Sequence, residues 1–172
     1  KVTADTLIPR PETEEWLDKV LRQLPASSLN VLDIGTGTGV LAITIKLERP
    51  SDVVVATDIS EAALKVACEN ANALKADVDF QQGNLFEPVK GKTFDVILSN
   101  PPYISKKELN VMDQSVIDYE PEIALFAKED GLAVYQELAC SISKYINPKG
   151  SIFLEIGYKQ VKEVADVFKK VF

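Results

Sequence analysis

Short apolar runs alternate with amphipathic stretches along this chain, and that alternation restricts the fold more than any single motif does. Asn30-Val31-Leu32-Asp33-Ile34, Val53 to Thr57, Val78 to Gln82, Phe94 to Ser99 and Ser151 to Ile156 read as strands. Between them lie helix patterns. One starts at Pro9-Arg10-Pro11-Glu12-Thr13-Glu14 and carries a stripe of Trp16, Leu17, Val20, Leu21 and Leu24. Val40 to Leu47 is rich in β-branched residues, yet a glycine-rich turn after a buried strand feeds a crossover helix, so it is assigned as helix. Ser60 caps a third helix, with Leu64, Ala67, Cys68, Ala71 and Leu74 inward. Asp130 to Ile146 presents Leu132, Tyr135, Leu138, Ala139 and Ile142, and the last helix presents Val161, Val164, Ala165 and Phe168. Asn147-Pro148-Lys149-Gly150 reads as a turn. The result is an α/β fold: an open, mostly parallel sheet with helices on both faces. Residues 101 to 128 form a long connection in which Ser105-Lys106-Lys107-Glu108 fits a capping box and a short helix.

Open α/β sheets take ligands beyond the carboxyl ends of their strands, at the point where strand order reverses. Three unusual stretches fall at such ends. The first is Gly35-Thr36-Gly37-Thr38-Gly39 after Asp33. It is not a dinucleotide fingerprint, because Val40 stands where the last glycine belongs, and no Gly-Lys-Ser/Thr makes it a P-loop. Asp-x-Gly-x-Gly-x-Gly resembles motif I of the class I S-adenosylmethionine-dependent methyltransferases. In that reading the glycines let the backbone approach the amino-acid end of the cofactor, and Asp33 faces its ammonium. The second is Asp58, placed to accept both ribose hydroxyls or to serve as a turn aspartate. Asn84, Leu85 and Phe86 follow the third strand, where adenine would sit, as ring contacts or as loop anchors.

The third stretch is Asn100-Pro101-Pro102-Tyr103. Neither proline can donate to a ladder and both fix their backbone, so the strand must stop. Asn100 and the Pro101 carbonyl then form a stiff pair of acceptors beside the flat Tyr103 ring, a slot for the NH2 of an amide or an exocyclic amine. A plain strand-stop turn is the alternative.

Bulk properties narrow the chemistry. The 172 residues suit one domain with a real core. There is no histidine, which excludes histidine triads and histidine bases. The two cysteines, Cys68 and Cys140, read as buried small hydrophobes. No apolar run approaches membrane-spanning length. A net charge of −7 weighs against a large nucleic-acid footprint.

Seven segments occur in one order: Leu7 to Glu14, Asp33 to Gly39, Gly83-Asn84-Leu85-Phe86-Glu87-Pro88, Asn100 to Ile104, Tyr119-Glu120-Pro121, Asp130-Gly131-Leu132 and Leu154-Glu155-Ile156-Gly157-Tyr158. Together they resemble the catalytic domain of the HemK-type release factor glutamine methyltransferases. The resemblance implies a Rossmann-like methyltransferase fold, S-adenosyl-L-methionine as cofactor and a cytoplasmic enzyme with no metal. The implied substrate is the glutamine side chain in the Gly-Gly-Gln motif of class 1 peptide chain release factors. Asn100 and Pro101 would hold the amide, and Pro102 and Tyr103 would pack against it. The family's N-terminal helical domain and C-terminal hairpin have no counterpart here, so residues 1–172 are expected to be the catalytic domain of a longer protein. Asn84 departs from a frequent family aspartate. Two rival readings are a nucleic-acid adenine methyltransferase using the same slot and a non-catalytic cofactor-binding module.

Overall fold

The computed structural model describes residues 1–105, 120–127 and 131–171. Helix α1 (Pro11–Leu21) precedes β1 (Asn30–Ile34), α2 (Val40–Glu48), β2 (Val53–Asp58), α3 (Glu61–Leu74) and β3 (Asp79–Gln82). A 3-10 turn at Glu87–Val89 leads to β4 (Phe94–Ser99). Two-residue strands β5 (Ile104–Ser105) and β6 (Phe126–Ala127) flank α4 (Glu122–Leu125), and α5 (Ala133–Ile142), β7 (Ile146–Leu154) and α6 (Val161–Phe168) follow. Lys106 to Glu108 of the capping box, Tyr119 and Asp130 lie outside the described residues.

The main sheet has the order β3-β2-β1-β4-β7, and every pairing in it is parallel. From β1 the chain steps outward to β2 and β3, then returns to place β4 on the other side of β1. The switch point therefore lies between the carboxyl ends of β1 and β4.

Alternation along β1 sends Val31 to one face and Leu32 to the other, and two cores result. On one face Leu17 and Val20 of α1 and Leu41, Ala42 and Ile45 of α2 pack with Val31, Val54, Val96 and Leu98. On the other, Leu138 and Ile142 of α5 pack with Leu32, Val55, Phe94 and Ile97. Both faces of the central strands are thus apolar, which is why they read as near-continuous hydrophobic runs.

Several expectations change. Leu74, Val161, Ala165 and Cys140 are exposed, and Cys68 is only partly covered. Strand β7 starts before the expected turn: Ile146 pairs with Phe94 and Ser151 with Val96, so Asn147 to Gly150 bulge out within it. Lys149 takes a left-handed φ of 69° at that bulge.

Candidate functional site

The turn after β1 is built by the end of β2. The Gly35 and Thr36 N–H groups both donate to the Thr57 carbonyl, at 2.8 and 3.0 Å. The Gly37 N–H donates to Asp58 Oδ2 at 2.9 Å, and the Ser60 N–H to Asp58 Oδ1 at 2.9 Å. Asp58 therefore serves as a turn aspartate while still lining a cavity. Each carboxylate oxygen keeps a free lone pair after one such bond. Ser99, at the end of β4, is buried and donates from Oγ to the Ile34 carbonyl at 2.8 Å. That bond staples the two strand ends on either side of the switch point.

The cavity at this point measures about 250 Å³. Gly35, Thr36, Gly37, Thr38, Asp58, Asn84, Leu85, Asn100, Pro101 and Pro102 line it, so the sequence-predicted stretches do meet at one place. A wider groove of about 630 Å³ runs between α1 and α2, but neither the glycine turn, Asp58 nor Asn100 borders it. The chemistry-bearing residues thus belong to the smaller cavity.

Four candidate residues do not reach the cavity wall. Phe86 is 4% exposed and stacks on Tyr145 with ring centroids 4.4 Å apart, so it is an anchor beneath the loop and not a ring contact for adenine. Gly39 caps α2 at a φ of 82°, and a Cβ there would meet Ile43 at 2.9 Å and Ala67 at 3.1 Å. It closes the packing of α2 on α3. Tyr103 sits past the end of β7, its carbonyl accepting from Gln160 Nε2 at 3.1 Å and its ring against Gly157. Burial and the nearby Glu155 push its phenol above the ordinary range.

Asp33, expected to face a cofactor ammonium, lies wholly buried behind the wall instead. It reaches the cavity through Thr36, whose hydroxyl donates to Asp33 Oδ2 at 2.6 Å. Its other oxygen, Oδ1, has no hydrogen-bond partner among the described residues. Burial raises the Asp33 carboxyl to about 7; the Thr36 hydroxyl and the Ala42 N–H only partly offset that, and Asp58 adds to it.

Sequence reasoning assigned no function to several residues that shape the site. Asp5, Thr6, Leu7 and Pro9 of the N-terminal strap form part of the wall. Leu85, expected as a ring contact or a loop anchor, lines it with a left-handed φ of 46°, and its carbonyl accepts from the buried Thr57 hydroxyl at 3.2 Å. Thr13 and Glu155 flank Asn100: Asn100 Nδ2 lies 3.4 Å from Thr13 Oγ1, which donates to Glu155 Oε2 at 2.7 Å. Both stand in the segments that carried the family resemblance, the one available signal. Glu155 is half-buried, and burial lifts its carboxyl above the usual range against the pull of Thr13.

A parallel sheet of this order, with a glycine turn and an acid at neighbouring strand ends, defines a class I S-adenosylmethionine-dependent methyltransferase fold. The chain belongs to the methyltransferase small domain family, whose description matches residues 17–119. It is 48% identical over 159 residues to the release factor glutamine methyltransferase of Enterococcus faecalis, covering 92% of this chain and 57% of that protein. It is 45% identical to the release factor glutamine methyltransferase of Lactococcus lactis, covering 100% of this chain and 63% of that one. The chain thus spans roughly 60% of the length of these relatives. Among solved structures, the ribosomal protein L11 methylase of Lactobacillus delbrueckii shares the fold, with a TM-score of 0.69 at 23% identity over 94% of this chain and 69% of that one.

Proposed function

We propose that the cavity at the switch point binds S-adenosyl-L-methionine, and that the protein methylates the side-chain amide nitrogen of the glutamine in the Gly-Gly-Gln motif of class 1 release factors. The observation that carries this reading is the meeting of Asn100 and Pro101 with the glycine turn and Asp58 on one cavity wall. The identity to release factor glutamine methyltransferases supports the choice of substrate.

The residues present fit the cofactor. Among the described residues, a Cβ built at Gly35 or Gly37 would meet nothing within 4 Å, so the turn leaves room for a ligand against its backbone. Asp58 offers two lone pairs to ribose hydroxyls, and Leu85 and Asn84 border the place for the adenine ring. A cationic group near Thr36 would compensate the buried carboxyl of Asp33, whose Oδ1 lacks a hydrogen-bond partner among the described residues. When bound, the cofactor supplies an electrophilic methyl group on sulfur.

An amide nitrogen is a poor nucleophile because its lone pair is delocalised into the carbonyl. Asn100 Oδ1 and the Pro101 carbonyl accept the two N–H bonds and orient the nitrogen toward the cavity. Orientation of this kind can supply several kcal/mol of a barrier. The nucleophile starts neutral, so no strong base is required and the proton leaves to water afterwards. The cytoplasm is where release factors act, and among the described residues no helix is long and apolar enough to cross a membrane.

Mass spectrometry of a class 1 release factor, after incubation with the full-length protein and S-adenosylmethionine, tests the reading. One added methyl group on the Gly-Gly-Gln glutamine is expected, and none on oligonucleotides, in keeping with the net charge of −7. Transfer to adenine with none to the release factor would overturn it.

A further inference from the structure

We infer that Thr13 and Glu155 are positioning residues that fix which end of the Asn100 amide faces the cleft. This rests on the reading of Asn100 as an acceptor for the substrate amide.

A side-chain amide has one accepting end and one donating end, of nearly the same shape. Reversed, Asn100 would present its own NH2 to the substrate NH2, two donors facing each other. Something must therefore set its direction, and a chain of hydrogen bonds does so. Glu155, at the end of β7, offers carboxylate oxygens that only accept when ionised. The Thr13 hydroxyl, on the first turn of α1, commits its single proton to Glu155 Oε2 at 2.7 Å. Thr13 Oγ1 is then left with lone pairs alone on its other side. The group 3.4 Å away must donate, and that is Asn100 Nδ2. Asn100 Oδ1 is thereby left for the substrate.

The surroundings hold this relay rigidly. Thr13 is 3% exposed. The Glu155 backbone is tied at both ends, its N–H donating to the Ser99 carbonyl at 3.0 Å and its carbonyl accepting from the buried Tyr135 hydroxyl at 2.8 Å. The relay therefore joins α1, β4 and β7 at the one point where the slot is assembled. It also gives a physical role to Glu155, which does not border the cavity, and a second one to Thr13, which does.

Thr13→Val, Thr13→Ser, Glu155→Gln and Asn100→Ala in the full-length protein test the inference. Turnover is followed on a class 1 release factor, and cofactor affinity is read by calorimetry with S-adenosylhomocysteine. Valine removes the hydroxyl at nearly equal volume. Glutamine can donate as well as accept, so it permits the relay to run backwards. Turnover should fall about tenfold or more in Thr13→Val and Glu155→Gln, with cofactor affinity unchanged and Thr13→Ser close to wild type. In the Asn100→Ala background neither change should cost anything further. If Asn100→Ala lowers turnover while Thr13→Val and Glu155→Gln do not, the positioning role is wrong and the acceptor role of Asn100 stands. If Asn100→Ala leaves turnover intact, the acceptor reading itself fails. Equal losses of turnover and affinity in Thr13→Val, or no rescue by serine, would mark Thr13 as structural only and overturn the inference.

Discussion

Asn100 is only half-buried, yet it stands where β4 stops, between the stapled Ser99 and the buried Pro101. Truncating it removes an acceptor without emptying the core. Asn100→Ala should therefore fold normally and lose turnover by about a hundredfold or more, the scale seen when one polar group aimed at a reacting centre is removed. Single-turnover kinetics beside a binding titration check this, since cofactor affinity should move little. Asp58 behaves differently because it bonds the Gly37 and Ser60 N–H groups as well as facing the cavity. Asp58→Ala is expected to weaken S-adenosylhomocysteine binding at least about tenfold in calorimetry, and unchanged affinity would remove Asp58 from the ribose position. At this scale the sequence was informative where backbone chemistry is stiff. Paired prolines and a glycine-rich turn announce strand ends whatever surrounds them. It was silent on Thr13, Ser99 and Glu155, whose roles arise from partners far along the chain. It left Phe86 open between ring contact and loop anchor, because an aromatic after a strand reads the same whether it lines a cavity or lies beneath it.

Among the elements, the β1–α2 turn shows how neighbouring glycines divide their work. Gly39 has a φ of 82° and faces Ile43 and Ala67 across the α2–α3 contact, whereas Gly37, at 55°, meets none of the described residues. Gly39→Ala thus combines left-handed strain with a clash inside a packed interface. It should cost about 2–4 kcal/mol in urea denaturation. Gly37→Ala meets strain alone, about 1–2 kcal/mol, but its methyl projects from the turn that lines the cavity, so cofactor affinity should drop with little further loss of stability. The reverse pattern would mean that the two glycines have exchanged roles. The β-branched α2 makes the related point about legibility. Its own propensity favours strand, and the connection forced by a parallel neighbour overrides it. Periodicity likewise located α6, but its expected inward positions Val161 and Ala165 are exposed, since a stripe shows which residues share a face and not how much of that face is covered.

At the scale of the whole molecule, the central strand carries an ionisable group through the middle of the fold. Asp33 on β1 is wholly buried, with a carboxyl raised by desolvation from 3.8 to about 7. Between those values the native state holds a proton that the unfolded chain releases, so Asp33 makes stability fall as pH rises, and its effect levels off above about 7. The slope can reach at most about 1.4 kcal/mol per pH unit. Glu155, also raised, acts in the same direction. Asp95, held low chiefly by the Asn30 N–H, and Glu69, held low by Lys1, act in the opposite one, adding stability that is lost as pH falls. Wild type alone therefore reports a sum, and comparison with Asp33→Asn isolates the buried carboxyl. In urea denaturation at about pH 5 and about pH 8, the variant should gain on wild type as pH rises and be the more stable protein at the higher value. Cofactor binding should work against this trend. A cation beside Thr36 favours the ionised form of Asp33, so ligand uptake near neutral pH should release a proton in wild type and none from this site in the variant. Calorimetry in buffers of different ionisation enthalpy measures that proton. A wild type that gains stability between the two pH values as fast as Asp33→Asn, with no proton released on binding, would mean that Asp33 is already ionised in the free protein.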